Sequence, residues 1–150
     1  MPKIRRFRAE DILDIELRAT DLENLENVNL REHGQQLALT PEASTMLTDE
    51  GQIIASVGGF VLGKTCLVFL LTSPLVERFP LLVLRVVRAY IKRAMRRGVV
   101  RFETLVNPDD ARAVRFIEHL GFEREGLCRA TGDNLKDRFL YARIELGQEG

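Results

Sequence analysis

Apolar positions along the chain recur with two different periods, and the switches between them outline the elements. Ile4 to Phe7 makes a short strand, after which Ala9-Glu10-Asp11 opens a segment whose Ile12, Ile15, Leu22 and Leu25 are spaced for helical faces. Its acidic first turn suits a helix N-terminus. From Arg31 to Pro41 a Gly, a His, two Gln and a Pro follow with no clear period, which predicts a loop or a short irregular helix. Between Ser44 and Thr72 come three apolar runs rich in β-branched residues, separated by Asp49-Glu50-Gly51 and Gly63-Lys64. That pattern predicts antiparallel strands joined by tight turns.

The period then changes. Pro80 starts a long helix in which Leu84, Val87, Ile91, Ala94 and Met95 recur at three- and four-residue steps, placing one apolar stripe on the sheet, and Gly98 ends it. Val99 to Val106 reads as a strand and Asp109 to Leu120 as a helix; Gly121-Phe122 leads into a strand pair ending near Leu146. Strand, helix, strand in that order implies parallel neighbours. The whole predicts an α/β domain over residues 1–150, a mixed sheet covered by helices on both faces.

Composition narrows the classes. A chain of 150 residues with 45% hydrophobic content builds a core without disulfides or metals. Cys66 and Cys128 lack the close Cys/His spacing of a zinc site, so no metal is expected and both read as reduced core residues of a cytoplasmic protein. Met1 to Arg6 is basic with no apolar stretch behind it, unlike a secretory signal. Val61 to Leu75 is very apolar, but Gly63, Lys64, Thr65, Thr72 and Ser73 interrupt it, which marks a buried strand rather than a membrane helix. Basic and acidic residues balance at 22 each, and no stacking platform accompanies them, which argues against nucleic acid and anionic membranes as partners. The exception is local. Arg85, Arg88, Lys92 and Arg96 share one face of the long helix, with Arg93, Arg97 and Arg101 close by. This is either a solvated face balanced by Asp11, Asp14, Glu16, Asp21, Glu23 and Glu26, or a docking face for an acidic partner or the phosphate of a nucleotide.

Asn107-Pro-Asp-Asp-Ala-Arg-Ala-Val-Arg-Phe-Ile-Glu-His-Leu-Gly-Phe122 resembles the fifth-strand, fourth-helix and Gly-Phe segment of the GNAT N-acetyltransferases. Glu123 to Arg129 and Asp137 to Tyr141 are similar to the C-terminal strands of the branch that acetylates ribosomal-protein N-termini. With the strand order, the resemblance spans nearly the whole chain. It implies a GNAT-like, mostly antiparallel sheet of six or seven strands. The fourth and fifth would splay, so that their unpaired backbone groups hold the pantetheine arm of acetyl-CoA as though it were a strand. Val68, Leu70, Leu71 and Thr72 would line that slot, with Arg78, Asn107, Arg112 and Phe116 as further donor contacts. The family also carries an Arg/Gln-x-x-Gly-x-Gly/Ala loop whose amides hold the pyrophosphate. Counting back from Gly98, the loop falls on Arg78-Phe79-Pro80-Leu81-Leu82-Val83. Arg78 is in register, but Leu81 and Val83 replace both glycines and Pro80 deletes an amide. Phosphate would then rest on Arg78, Arg85 and the helix dipole, unless the loop has lost that role.

N-acyl transfer requires a base, an oxyanion donor and an acid. Glu103, mid-strand before the splay, reads as the base or as part of a solvated strand face. Asn107 matches the family asparagine near the donor arm, and an N-cap-like role is physically sufficient for it. At the helix position where many relatives carry a tyrosine acid stands Ile117, which has no proton to give. Tyr90 and Tyr141 read as core residues with a wet hydroxyl, and His119 as a cation at a helix C-terminus. His33 falls in the unpatterned stretch and gains no role from sequence. The resemblance implies transfer of an acetyl group to a primary amine of a small molecule, a protein N-terminus or a lysine. Recognition of that acceptor would rest on Leu17 to Pro41 and Arg129 to Asp137, and pairing of the last strands would give a homodimer. The altered loop leaves a second reading, an interaction protein on a catalytically degenerate scaffold, similar to acetyltransferase-like proteins of tailed phages and so phage-encoded.

Overall fold

The computed structural model describes residues 1–132 and 134–146; Asp133, inside the late loop named above, and residues 147–150 lie outside the described residues. In chain order the elements are β1 (Lys3–Arg6), α1 (Asp11–Asp14), α2 (Ala19–Asn24), α3 (Leu30–Ala38), β2 (Ser44–Leu47), β3 (Ile53–Leu62) and β4 (Thr65–Thr72). A 3-10 turn (Pro74–Glu77) leads to α4 (Pro80–Arg96), β5 (Arg101–Val106), α5 (Ala111–His119), β6 (Glu123–Thr131) and β7 (Lys136–Ile144).

The strands form one seven-stranded sheet in the order β1-β2-β3-β4-β5-β7-β6, antiparallel throughout except for β4 against β5. The β5-α5-β6 unit does not make parallel neighbours as its order suggested. β7 returns between the two and pairs antiparallel with both. Alternation along β4 shows which side each face serves. Cys66 and Val68 pack with Val83, Val87, Tyr90 and Ile91 of α4 and Ile117 of α5. Leu71 and Phe69 pack on the other face with Ile12, Ile15 and Leu37, under α1 and α3. Gly98, at φ 102°, turns the chain after α4 where a side chain would be strained.

Two local expectations change. Where a loop or a short irregular helix was expected over Arg31 to Pro41, Leu30 to Ala38 is a regular helix, capped by Asn29 Oδ1, which accepts from the Glu32 N–H at 3.1 Å. The acidic segment before it is two short helices, because Ile15 turns extended (ψ 135°) after α1. Cys66 is a buried free thiol as expected, whereas Cys128 is only half-buried on β6. Among the described residues no helix is long and apolar enough to cross a membrane.

Candidate functional site

β4 and β5 pair over three rungs only, Thr65–Arg101, Cys66–Phe102 and Leu67–Glu103. Beyond them β4 continues to Thr72 and β5 to Val106, held on their outer edges by β3 and β7 but not to each other. A cavity of 690 Å³ occupies this splay, walled by the starts of α4 and α5 on one face and by α2 and α3 on the other. The Ser73 N–H donates to Ile54 O at 3.1 Å and so points toward β3. By alternation, the backbone groups of Thr72, Leu70 and Val68 point into the gap.

Most of the sequence-derived donor residues meet here: Val68, Leu70, Leu71, Thr72, Asn107, Arg112 and Phe116 all line the cavity. Ile117 lines it too, so the wall that carries a tyrosine in many relatives is apolar here. Glu103 and Arg78 are not among the lining residues. Glu103 stands at the last paired rung, its carboxylate accepting from Arg101 Nε at 2.7 Å while the other Arg101 nitrogens bond Glu125 at 2.5 and 3.0 Å. Asn107 Oδ1 accepts from the Asp109 N–H at 2.9 Å and turns the chain at the strand end, but the cap of α5 is Asp110, which accepts from the Ala113 N–H at 3.2 Å. Tyr90 and Tyr141 lie elsewhere and their hydroxyls are not wet. Tyr90 is buried with its oxygen 3.7 Å from Cys66 Sγ, and burial pushes that phenol's pKa well up; the Tyr141 hydroxyl donates to Glu118 at 2.9 Å. His119 closes α5, in the position expected of a C-terminal cation.

The stretch expected to hold phosphates spends its amides internally. The Arg78 N–H donates to Leu75 O at 2.9 Å and the Phe79 N–H to Val76 O at 3.2 Å, both within the 3-10 turn. The Val83 N–H continues into α4 by donating to Phe79 O at 3.1 Å, and Pro80 has none to offer. Val83, placed by counting in a phosphate-facing position, is turned into the core, whereas Leu81 is 72% exposed. That leaves the first-turn amides of Leu81 and Leu82. Glu77, an acid at the cavity rim, is ion-paired with Arg112.

Three polar residues that sequence reasoning missed or read as surface charge, Arg18, Thr20 and Asp21, converge on the cavity from α2 and the segment before it. Asp21 Oδ2 accepts from the Thr72 N–H at 3.0 Å and from the Thr72 hydroxyl at 2.6 Å. Arg18 Nη2 and the Thr20 hydroxyl donate to Asp110 at 3.3 and 3.1 Å. Burial pushes the Asp21 carboxyl above the ordinary range, against the two Thr72 bonds and the charge of Arg18, with nearby Asp110 adding to the rise. His33 of α3 lines the same side. So does Phe69, whose ring stacks edge-on to Phe7 at 6.1 Å and tilts toward Phe60 at 6.2 Å. The aromatic wall had a legible signal, because the Gly63-Lys64 turn sets a register that puts Phe69 opposite Gly58 and Leu67 opposite Phe60. Nothing local in the sequence marks Asp21, whose partner lies fifty-one positions away.

No family model matches the chain, and no curated protein matches its sequence. Solved structures do match it in shape. Ard1 from Thermoplasma volcanium superposes with a TM-score of 0.75 at 14% identity over 97% of this chain and 98% of that one. An acetyltransferase (GNAT family) from Bacillus anthracis gives 0.70 at 15% identity over 95% and 94%. The ribosomal-protein-S18-alanine N-acetyltransferase from Escherichia coli gives 0.63 at 19% identity over 100% and 98%. The seven-stranded order, the splay between β4 and β5 and these superpositions together establish that the protein has the GNAT acetyltransferase fold.

Proposed function

We propose that the chain is an acyl-CoA-dependent N-acyltransferase that moves an acetyl group from acetyl-CoA to a primary amine of a small molecule, a protein N-terminus or a lysine. The observation that carries this reading is the unpaired gap between Val68–Thr72 and Thr104–Val106 with a cavity inside it. An extended amide-bearing arm fits such a gap because Leu70 and Val68 present backbone donors and acceptors at strand spacing, between apolar walls that include Val106, Phe116 and Ile117. At its outer end the phosphates would meet the Leu81 and Leu82 amides, Arg78 and, once freed from Glu77, Arg112. Bound there, acetyl-CoA supplies a thioester carbonyl open to attack by an amine.

The chain's own residues have separate tasks. Phe60, Leu67, Phe69 and Leu105 exclude water from the acceptor side. The ammonium of the incoming amine must lose a proton, and His33 is a titratable group lining the cavity that makes no ion pair among the described residues. Glu103 serves Arg101 instead. Calorimetry with acetyl-CoA is the direct test. Binding at a hundredfold excess over Kd should stabilise the fold by about 2.7 kcal/mol and raise Tm by several degrees. No heat and no stabilisation would sink the reading.

A second reading, an interaction protein on a degenerate GNAT scaffold, gains support from the amides consumed at Arg78, Phe79 and Val83. An acidic partner would then dock on the exposed Arg85, Arg88, Lys92 and Arg96 face of α4, and a homodimer would form through the edge strand β6. Acetyl-CoA carried through native mass spectrometry of the purified protein would count against it.

A further inference from the structure

The strongest feature left unexplained is α2 itself. It has no buried residue, so apolar packing does not hold it down. What holds it is a set of polar clasps reaching both sides of the splay. On the β4 side, the Arg18 N–H donates to Thr72 O at 2.9 Å while the Thr72 N–H donates to Asp21 Oδ2 at 3.0 Å. On the α5 side, Arg18 and Thr20 grip Asp110. At its far end, Glu23 pairs with Lys136, Asn24 accepts from Arg138 on β7, and Asn134 Nδ2 donates to Glu23 O at 2.9 Å.

The Thr72 contacts decide what this arrangement does. Both backbone groups of Thr72 point into the gap, and both are already bonded to the 18–21 segment, in the manner in which an added strand would bond them. An extended arm running along β4 needs those two groups, and two occupants cannot share them.

We propose that residues 18–24 form a lid, latched across the mouth of the slot through Thr72 and Asp110, that occupies the donor arm's bonding position at Thr72 and must swing out before such an arm binds. This rests on the acyltransferase reading for the identity of the arm, though not for the existence of the latch.

The experiment compares wild-type protein with Asp21→Ala, reading amide hydrogen exchange at Thr72 and acetyl-CoA affinity by calorimetry. The lid predicts Thr72 exchange at least tenfold faster in the variant, with no change at the buried strand residues Val57 and Phe102, and acetyl-CoA binding about tenfold tighter because the variant no longer has to break the latch. A Lys136→Ala variant loosens the exposed far end without touching Thr72 and keeps the test usable if Asp21→Ala folds poorly. It should tighten acetyl-CoA by about two- to fivefold. Equal Thr72 exchange in wild type and variants, or unchanged or weaker donor binding by a folded variant that wild type also binds, overturns the lid and leaves the acyltransferase reading standing. Faster Thr72 exchange with acetyl-CoA bound by none of the proteins overturns the donor reading and supports the latch.

Discussion

Asp11 shows how one carboxylate can fix the approach to the site. It is 2% exposed, yet it accepts from Arg5 Nη1 and Nη2 at 2.9 and 2.8 Å, from the Arg8 N–H at 2.9 Å and from the Thr45 hydroxyl at 2.7 Å. Thr45 extends the network to Ser56 at 2.8 Å, so α1 is tied through β2 to β3. Burial alone would raise the Asp11 pKa, but the Arg5, Arg8 and Thr45 bonds outweigh it and hold the carboxyl below its ordinary value. A depressed pKa gives stability that is complete above the unfolded pKa, near about 4, and that is lost as pH falls through the lower folded value. Asp11→Ala should therefore cost about 3 kcal/mol in urea melts at pH 7, since Arg5, the Arg8 N–H and the buried Thr45 hydroxyl lose their acceptor. The gap between variant and wild type should narrow below pH 4, and an undiminished gap there would refute the assignment. The sequence showed Asp11 only as an acid in a helix's first turn. Its partners are set by strand pairing, which one-dimensional spacing does not carry, and the same holds for Asp21.

At the scale of elements, the approach of α4 to the sheet depends on Gly59 of β3. A Cβ there would lie 2.4 Å from Cys66 Sγ, 2.8 Å from the Tyr90 hydroxyl and 3.0 Å from Leu67 O. Gly59→Ala should destabilise by about 1–3 kcal/mol through overpacking, read as a lower Tm, and Cys66→Ala in the same chain should recover part of the loss because it removes the nearest atom. A fully additive double variant would show that Cys66 is not the obstacle. Gly58 serves the other face, where the Phe69 ring lies within 2.5 Å of its missing Cβ and so reaches the cavity. The meander and α4 were readable in sequence because their stripes repeat often: of the positions read for α4, Val87, Ile91 and Ala94 are buried and Leu84 and Met95 partly so. α3 was not, since Gly34 replaces an apolar residue at the point where the helix meets Ala9 O and Ile12, so close contact rather than hydrophobicity marks its inner face. The insertion of β7 between β5 and β6 left no local trace either, because strand pairing is not carried by one-dimensional spacing.

Across the whole molecule, a net charge of zero conceals a separation of charge. Arg93 and Arg97 approach Glu42, at 3.8 and 2.7 Å, and Arg101 is neutralised by Glu103 and Glu125. Arg85, Arg88, Lys92 and Arg96 are exposed on the outer face of α4 and take part in none of the ion pairs among the described residues. The acidic segment expected to balance them cannot do so from where it lies. Asp11 and Asp21 are spent on internal bonds, and Asp14, Glu16 and Glu26 are exposed with α1 and α2 on the opposite side of the sheet. The α4 face is therefore a cationic patch, and at low ionic strength, where the screening length is ~30 Å at 0.01 M, its attraction to an anionic surface is little screened. The protein should be retained on a sulfonate cation exchanger at pH 7 in about 0.01 M salt despite its neutrality, and released by about 0.1 M, where the screening length falls to ~10 Å. Replacing the four α4 cations with Gln removes no buried contact, so the variant should fold as before and pass through unretained. Equal retention of both proteins would place the effective charge elsewhere, and α4 would lose its claim as the docking face for an acidic partner.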